Sequence, residues 1–311
     1  MALLLRKRLI LIETESTYGT DPTPDGADAV LVRDLSITPL QSDVVSRDLI
    51  RPYLGASEQL LANTRVECTF SVELAGSGAA GTAPQYGKAL QACGLIETVD
   101  AGVSVTYAPR SSSFGSVTIH YNVDGLRHKV TGCRGTFSIS ANVGEIPTID
   151  FTFTGIYNTP DNSALPAVTY ANQETPLVFK NGNTDTFELL SFAGSLQSLT
   201  FDVGNTVVYR ELIGGSKEVL MTDRASNGTV VMEAVKIDQK DYFTAALTDG
   251  TLGNLTFQHG TTAGNIVDFA STRVDIGDVS YSDQDGIAMF NIPYTTIPST
   301  AGNDEFSLAY T

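Results

Sequence analysis

Ser46-Arg47-Asp48-Leu49-Ile50 returns as Tyr209-Arg210-Glu211-Leu212-Ile213, and the stretches around the two copies return in the same order. A long-period repeat sets how many folded units a chain of 311 residues holds. Two units follow, not an array. Alternation at Leu35-Ser36-Ile37 corresponds to Leu199-Thr200-Phe201, and each is followed by a long polar excursion carrying the Arg-acid-Leu-Ile box. Val66, Cys68, Phe70, Val72 and Leu74 are answered by Val230, Met232 and Ala234. Each half then has one helix-like stretch, from Tyr86 and from Tyr242, running into a glycine stop at Gly94 and Gly250. Val117, Ile119 and Tyr121 match Leu255 and Phe257; Phe137 and Ile139 match Val274 and Ile276. Ile149, Phe151 and Phe153 match Ala288, Phe290 and Ile292. The competing reading is two unrelated β domains that share a generic pattern of alternation and turns.

Fold class follows from the period. Between Arg65 and Leu74 every second residue is apolar, with Glu67, Thr69, Ser71 and Glu73 between, as in a strand with one buried and one wet face. Val117 to Val123 and Ile149 to Phe153 repeat the pattern. The chain therefore reads as mainly β, with two tandem antiparallel sandwich or barrel domains, each flanked by one α-helix. Length supports units of about 150 residues. The expected division is 1–160 and 161–311, with the boundary inside 155–190.

Composition narrows the function. Only 17% of residues are charged, against a usual value of about 25%, which suits a surface hidden against partners. Cys68, Cys93 and Cys133 are odd in number and lack CxxC spacing, so buried free thiols are expected rather than disulfides or zinc. The opening Met1 to Ile12 has Arg6, Lys7 and Arg8 inside its apolar run and is too short to span a bilayer. It reads as an N-terminal arm ordered by a neighbour, or equally as an edge strand, of a soluble chain. His120, His128 and His259 suggest surface or half-buried roles, and the glycine-rich stretch at 76–81 lacks a phosphate-loop ending and reads as a flexible connection. No catalytic residue, cofactor site or metal site is expected, and an enzyme is disfavoured. The net charge is −16, with no basic stripe for gripping phosphates. An acidic wall can still serve a conduit through which nucleic acid slides without sticking.

The segment Glu13-Thr14-Glu15-Ser16-Thr17-Tyr18-Gly19-Thr20-Asp21-Pro22-Thr23-Pro24, then Asp28 to Val32 and Leu35 to Leu40, resembles the start of major tail tube proteins of long, flexible-tailed bacteriophages. The resemblance continues through Arg47-Asp48-Leu49-Ile50 and the Tyr86 helix, and reaches the second half mainly through the repeat. It implies a structural virion protein, assembled in the host cytoplasm, whose β sandwiches close into six-fold rings stacked as a hollow tail. Such a tube encloses the tape measure protein, meets tail tip and terminator proteins, and later conducts the genome without binding it specifically. A chain carrying two tube domains would form a homotrimeric, pseudo-hexameric ring.

The excursions near 41–63 and 204–227 are long for loops in a compact domain. The expectation is that they reach a neighbouring subunit or ring, burying Leu49, Ile50, Leu212 and Ile213 and pairing Arg47 and Arg210 with carboxylates across the contact. Asp48 and Glu211 complete this candidate assembly set. Alternatively, the excursions fold back on their own domain. A β-rich binding module or adhesin-like surface protein is the rival from another class, weakened for carbohydrate by the lack of any Trp.

Overall fold

A computed structural model describes residues 2–47, 49–248 and 250–311, apart from the side chain of Asp185. The first half forms β1 (Arg8–Thr14), β2 (Ala29–Val30), β3 (Arg33–Val45), β4 (Leu60–Glu73), α1 (Gly87–Ala92), β5 (Leu95–Asp100), β6 (Ser104–Pro109), β7 (Val117–Val123), β8 (Leu126–Asn142), β9 (Thr148–Tyr157) and β10 (Asp161–Asn162). The second forms β11 (Thr184–Leu189), β12 (Leu196–Asp202), β13 (Asn205–Glu211), β14 (Lys217–Arg224), β15 (Asn227–Glu233), α2 (Tyr242–Leu247), β16 (Gly253–His259), β17 (Val267–Ile276), β18 (Ser280–Gln284), β19 (Ile287–Thr296) and β20 (Ser307–Tyr310). The protein is mainly β and antiparallel, as the alternation requires.

β4 shows why. Val66, Cys68, Phe70 and Val72 are buried, and the residues between them face the opposite side of the sheet. Phe70 packs on Phe151 and Phe153 of β9 with ring centroids 5.2 and 5.8 Å apart. Each such fully buried Phe contributes about 1.5–3 kcal/mol. The six-residue helices are too short to stand alone. α1 is held by burial of Ala89 and Leu90, and α2 by the Asp241 side chain, which accepts a hydrogen bond from the Thr244 amide. Gly94 and Gly250 adopt φ of +83° and +76°, the left-handed stop expected of them.

One face of the molecule is an eight-strand run in the order β3-β4-β9-β8-β12-β15-β19-β18. β8 makes this possible by its length: Leu126 to Cys133 pair with β7, and Ser138 to Asn142 pair with β12. Behind it lie β2-β1-β7 and β11-β16-β17-β20-β6-β5. One continuous cluster of buried residues from both halves fills the interior. The halves also exchange strands, since β12 pairs with β8 and β20 with β6. Phe201 on β12 lies 6.3 Å from Phe137 of the first half and 4.8 Å from Phe269 of the second.

Several expectations change. Arg8–Thr14 is neither an arm nor an edge, because β1 lies between β2 and β7 with Ile10, Leu11 and Ile12 buried. β7 has no wet face: Thr118, His120 and Asn122 are buried as well as the apolar residues. The cover is the segment after β1. Glu15 accepts from the Gly19 amide, Ser116 Oγ, Thr118 Oγ1 and the Gly132 amide, and Asp21 meets His120. The stretch 76–81 is a tight crossing between the halves rather than a flexible connection. Gly76 N–H donates to Asn265 Oδ1 and Gly78 N–H to the Gly264 carbonyl, and a Cβ on Gly76 would sit 2.1 Å from that carbonyl oxygen. The polar excursions are β-hairpins, the distal parts of β3–β4 and the pair β13–β14.

Candidate assembly surface

The outer face of the eight-strand run is a wall of hydroxyls, carboxylates and amides. Cross-strand neighbours in one row are Ser71, Asp150, Ser138, Asp202, Asn227 and Thr295. The next row reads Glu73, Thr148, Ser140, Thr200, Thr229 and Pro293. The first row begins on β3 with Arg33, which faces Ser71 and meets Glu73 of the next row at 3.7 Å; the other residues of the two rows include no lysine or arginine. Ser71 Oγ donates to Asp150 across the strands. Asp150, Thr152, Thr200, Asp202, Asn227 and Thr295 are exposed. A phosphate about 7 Å from one of these carboxylates is repelled by roughly 0.6 kcal/mol in water, and salt screens the effect beyond about 8 Å. The wall is wettable and weakly repulsive to nucleic acid where its carboxylates stand, and its arginines at the β3–β4 end are paired, Arg33 with Glu73 at 3.7 Å and Arg65 with Asp43 at 3.3 Å.

The two ends of this run are open strand edges. Among the described residues β3 pairs only with β4, and β18 only with β19. Every residue of β18 is exposed. Unpaired backbone groups of this kind are templates for another strand.

Two hairpins project from the wall. Leu49 is 49% exposed and Ile50 104%, while at the tip of the second hairpin Leu212 is 53% and Ile213 109% exposed. Val44, Val45, Leu60 and Leu61 on the first hairpin are exposed too. Within the single chain Arg47 pairs with Glu58 and Arg210 with Glu218, each inside its own hairpin. Glu211 meets Lys217 at 3.1 Å in the same way. Such exposed pairs contribute about 0–1 kcal/mol and act as local staples. Asp48, the remaining member of the candidate set, lies outside the described residues.

The base of the second hairpin is anchored on the first half, and sequence reasoning missed the anchor. Tyr18 Oη accepts from the Val219 amide at 2.6 Å and donates to the Gly132 carbonyl at 3.2 Å. Arg134 Nη1 donates to the Val219 carbonyl at 2.7 Å, with its guanidinium 4.9 Å above the Tyr18 ring. Burial raises the Tyr18 phenol above its ordinary value. Asn205 Nδ2 donates to the carbonyls of Cys93 and Gly135, which ties the hairpin to the end of α1. Tyr18 stood out only as part of the segment from Glu13 to Pro24; its partner lies 201 residues away.

The titratable groups point to structure. Cys68, Cys93 and Cys133 are buried free thiols, and burial pushes the Cys68 thiol up to about 12. Burial also lowers His120, against the opposing pull of Asp21 at 3.0 Å. His259 is lowered by burial, with Nδ1 beside Thr184 Oγ1 and Nε2 beside the Leu177 carbonyl. Among the described residues no group of three or more His, Cys, Asp and Glu is placed to hold a metal ion, and no helix is long and apolar enough to cross a membrane.

The sequence model of the family described as Phage tail tube protein matches residues 6–303. No curated protein matches the chain.

Proposed function

Because the chain belongs to the phage tail tube protein family, a structural component of the virion tail, we propose that it closes into rings of three copies stacked as a hollow tube. Each copy supplies two tube units. The observation that carries this reading is the eight-strand run with an open edge at each end and a polar outer face whose arginines, Arg33 and Arg65, are paired with carboxylates. Its edges differ, so copies join head to tail, the arrangement that yields closed rings. Three copies of eight strands, spaced about 4.8 Å and tilted about 40°, would enclose a barrel roughly 48 Å across between backbones. That leaves room for a DNA duplex after side chains are added. The row through Asp150 and Asp202 then faces the bore, where DNA passes without being held, and the tape measure protein occupies the same space before ejection. The exposed tips with Leu49, Ile50, Leu212 and Ile213 reach the adjacent ring, with tail tip and terminator proteins capping the two ends. Assembly takes place in the host cytoplasm, and the tube acts as a conduit rather than an enzyme.

Electron microscopy of the purified protein tests this reading. Hollow tubes are expected for the wild type, and folded particles that no longer polymerise for the double variant Leu49→Ser/Ile50→Ser. Wild-type preparations without rings or tubes would refute the ring reading. Full-length tubes from the double variant would refute the role given to the first hairpin tip.

A further inference from the structure

The junction between the halves of one chain supplies the pattern for a junction between chains. Strand neighbours in the halves correspond residue by residue once the pairing is followed from strand to strand, which corrects the match read from the sequence by moving Phe151 from Phe290 to Ile292 and Ile139 from Ile276 to Tyr281. Ser36 faces Thr69 as Thr200 faces Thr229. Ser71, Asp150 and Ser138 follow one another across β4, β9 and β8 as Val231, Asn291 and Ser280 do across β15, β19 and β18. Glu73, Thr148 and Ser140 likewise match Glu233, Met289 and Ser282. The alternation of faces agrees along β4 and β15 and along β9 and β19 except at Met289, which is buried where Thr148 is half-buried, while β18, exposed throughout, takes its register from its pairing with β19; a one-residue slip would reverse the alternation. β18 is therefore the counterpart of the last five residues of β8, and residues 34–38 of β3 are the counterpart of residues 198–202 of β12.

Within the chain those counterparts are paired: Ser138 with Asp202, Ile139 with Phe201, Ser140 with Thr200, Ala141 with Leu199 and Asn142 with Ser198. β18 and β3, at opposite ends of the same run, have no such partner among the described residues. Resting on the ring reading above, we infer that β18 of one copy pairs antiparallel with β3 of the next, in the register Ser280–Thr38, Tyr281–Ile37, Ser282–Ser36, Asp283–Leu35 and Gln284–Asp34.

A second observation places the same partner. In the first half the end of α1 is covered by the β13–β14 hairpin, with Asn205 on the Cys93 carbonyl and Met221 Sδ at 3.1 Å from a Cβ built on Gly94. At the corresponding end of α2 a Cβ on Gly250 would meet nothing within 4 Å among the described residues, and Leu247 is 84% exposed. The distal β3–β4 hairpin is the counterpart of β13–β14, and its Val44, Val45, Leu60 and Leu61 are uncovered. Pairing β3 with β18 carries this hairpin over α2 of the neighbouring copy, so one contact buries both exposed apolar sets.

The register is tested by cysteine cross-linking of the full chain. Directly opposed antiparallel residues bring Cβ atoms to about 4.5–5.5 Å, close enough for a disulfide after modest adjustment. Ser36→Cys/Ser282→Cys should give chain-to-chain disulfides in assembled tubes, ending at a closed three-chain species on a non-reducing gel. Thr38→Cys/Gln284→Cys, four residues out of register, should give none. The three native thiols are buried and contribute little background. Hydrogen exchange on the unmodified protein provides a variant-free readout, with the amides of β18 gaining protection on assembly. Wild-type tubes without the in-register cross-link, or with β18 still unprotected, would overturn the pairing and leave the tube reading standing. A wild-type protein that never assembles would overturn both.

Discussion

Replacing Glu15 tests how the first half closes its back layer. Its Oε1 accepts from Thr118 Oγ1 and the Gly132 amide, and its Oε2 from Ser116 Oγ and the Gly19 amide, at 2.6 to 2.7 Å. Glu15→Ala strips all four donors of their acceptor in a place where β7 has no wet face. Each hydrogen bond to a charged group is worth about 1.5–3 kcal/mol, but the two hydroxyls can turn to other acceptors, so the net loss is about 3–5 kcal/mol. Glu15→Gln keeps one oxygen and turns an amide NH2 toward a backbone N–H, a donor facing a donor, for a loss of about 1.5–3 kcal/mol. At about 2 °C per kcal/mol for a chain of this length, the melting temperature should fall about 6–10 °C for Ala and about 3–6 °C for Gln. Thermal melts of the unassembled chain by circular dichroism measure both. Two variants that melt with the wild type would refute the claim that Glu15 holds the cover over β7.

Acidification should weaken the fold through its histidines. Burial lowers His120, His128 and His259 below their ordinary value, so the unfolded chain binds the extra protons first. Their contribution is complete above about pH 6.5 and declines as pH falls through and below it. Urea titrations between about pH 7 and pH 5 should show that decline, less steeply in His259→Gln. Phe201→Ala should cost about 3–5 kcal/mol and lower one common transition, since its ring touches both halves; separate transitions with only one shifted would contradict the shared core. Asp150→Lys/Asp202→Lys should change monomer stability by about 0.5 kcal/mol or less per site, yet give tubes that retain duplex DNA at low salt, measured by co-sedimentation.

Much of the local structure was legible in the chain. β4 and β9 announce themselves by alternation, and Gly94 and Gly250 mark the helix ends through a backbone conformation that other residues resist. What escaped was whatever depends on neighbours. β7 alternates like a half-wet strand, and only the position of Glu15 and Asp21 above it explains why Thr118, His120 and Asn122 are buried. The distal β3–β4 hairpin is exposed on both faces, so no apolar period marks it as strand. The pairing of β12 with β8 is a matter of register between segments about 60 residues apart, which periodicity does not encode. The candidate site was legible to the same degree. Leu49, Ile50, Leu212 and Ile213 were found as misplaced apolar residues and do stand exposed, whereas the staples on Arg47 and Arg210, the Tyr18–Arg134 anchor and the rows of the polar wall needed the topology.

A ring-resolution reconstruction of the assembled protein tests the central claim most directly. The account predicts three chains per ring with the row through Asp150, Ser138 and Asp202 facing an open bore. Six chains per ring, or a wall whose polar rows face outward, would contradict it.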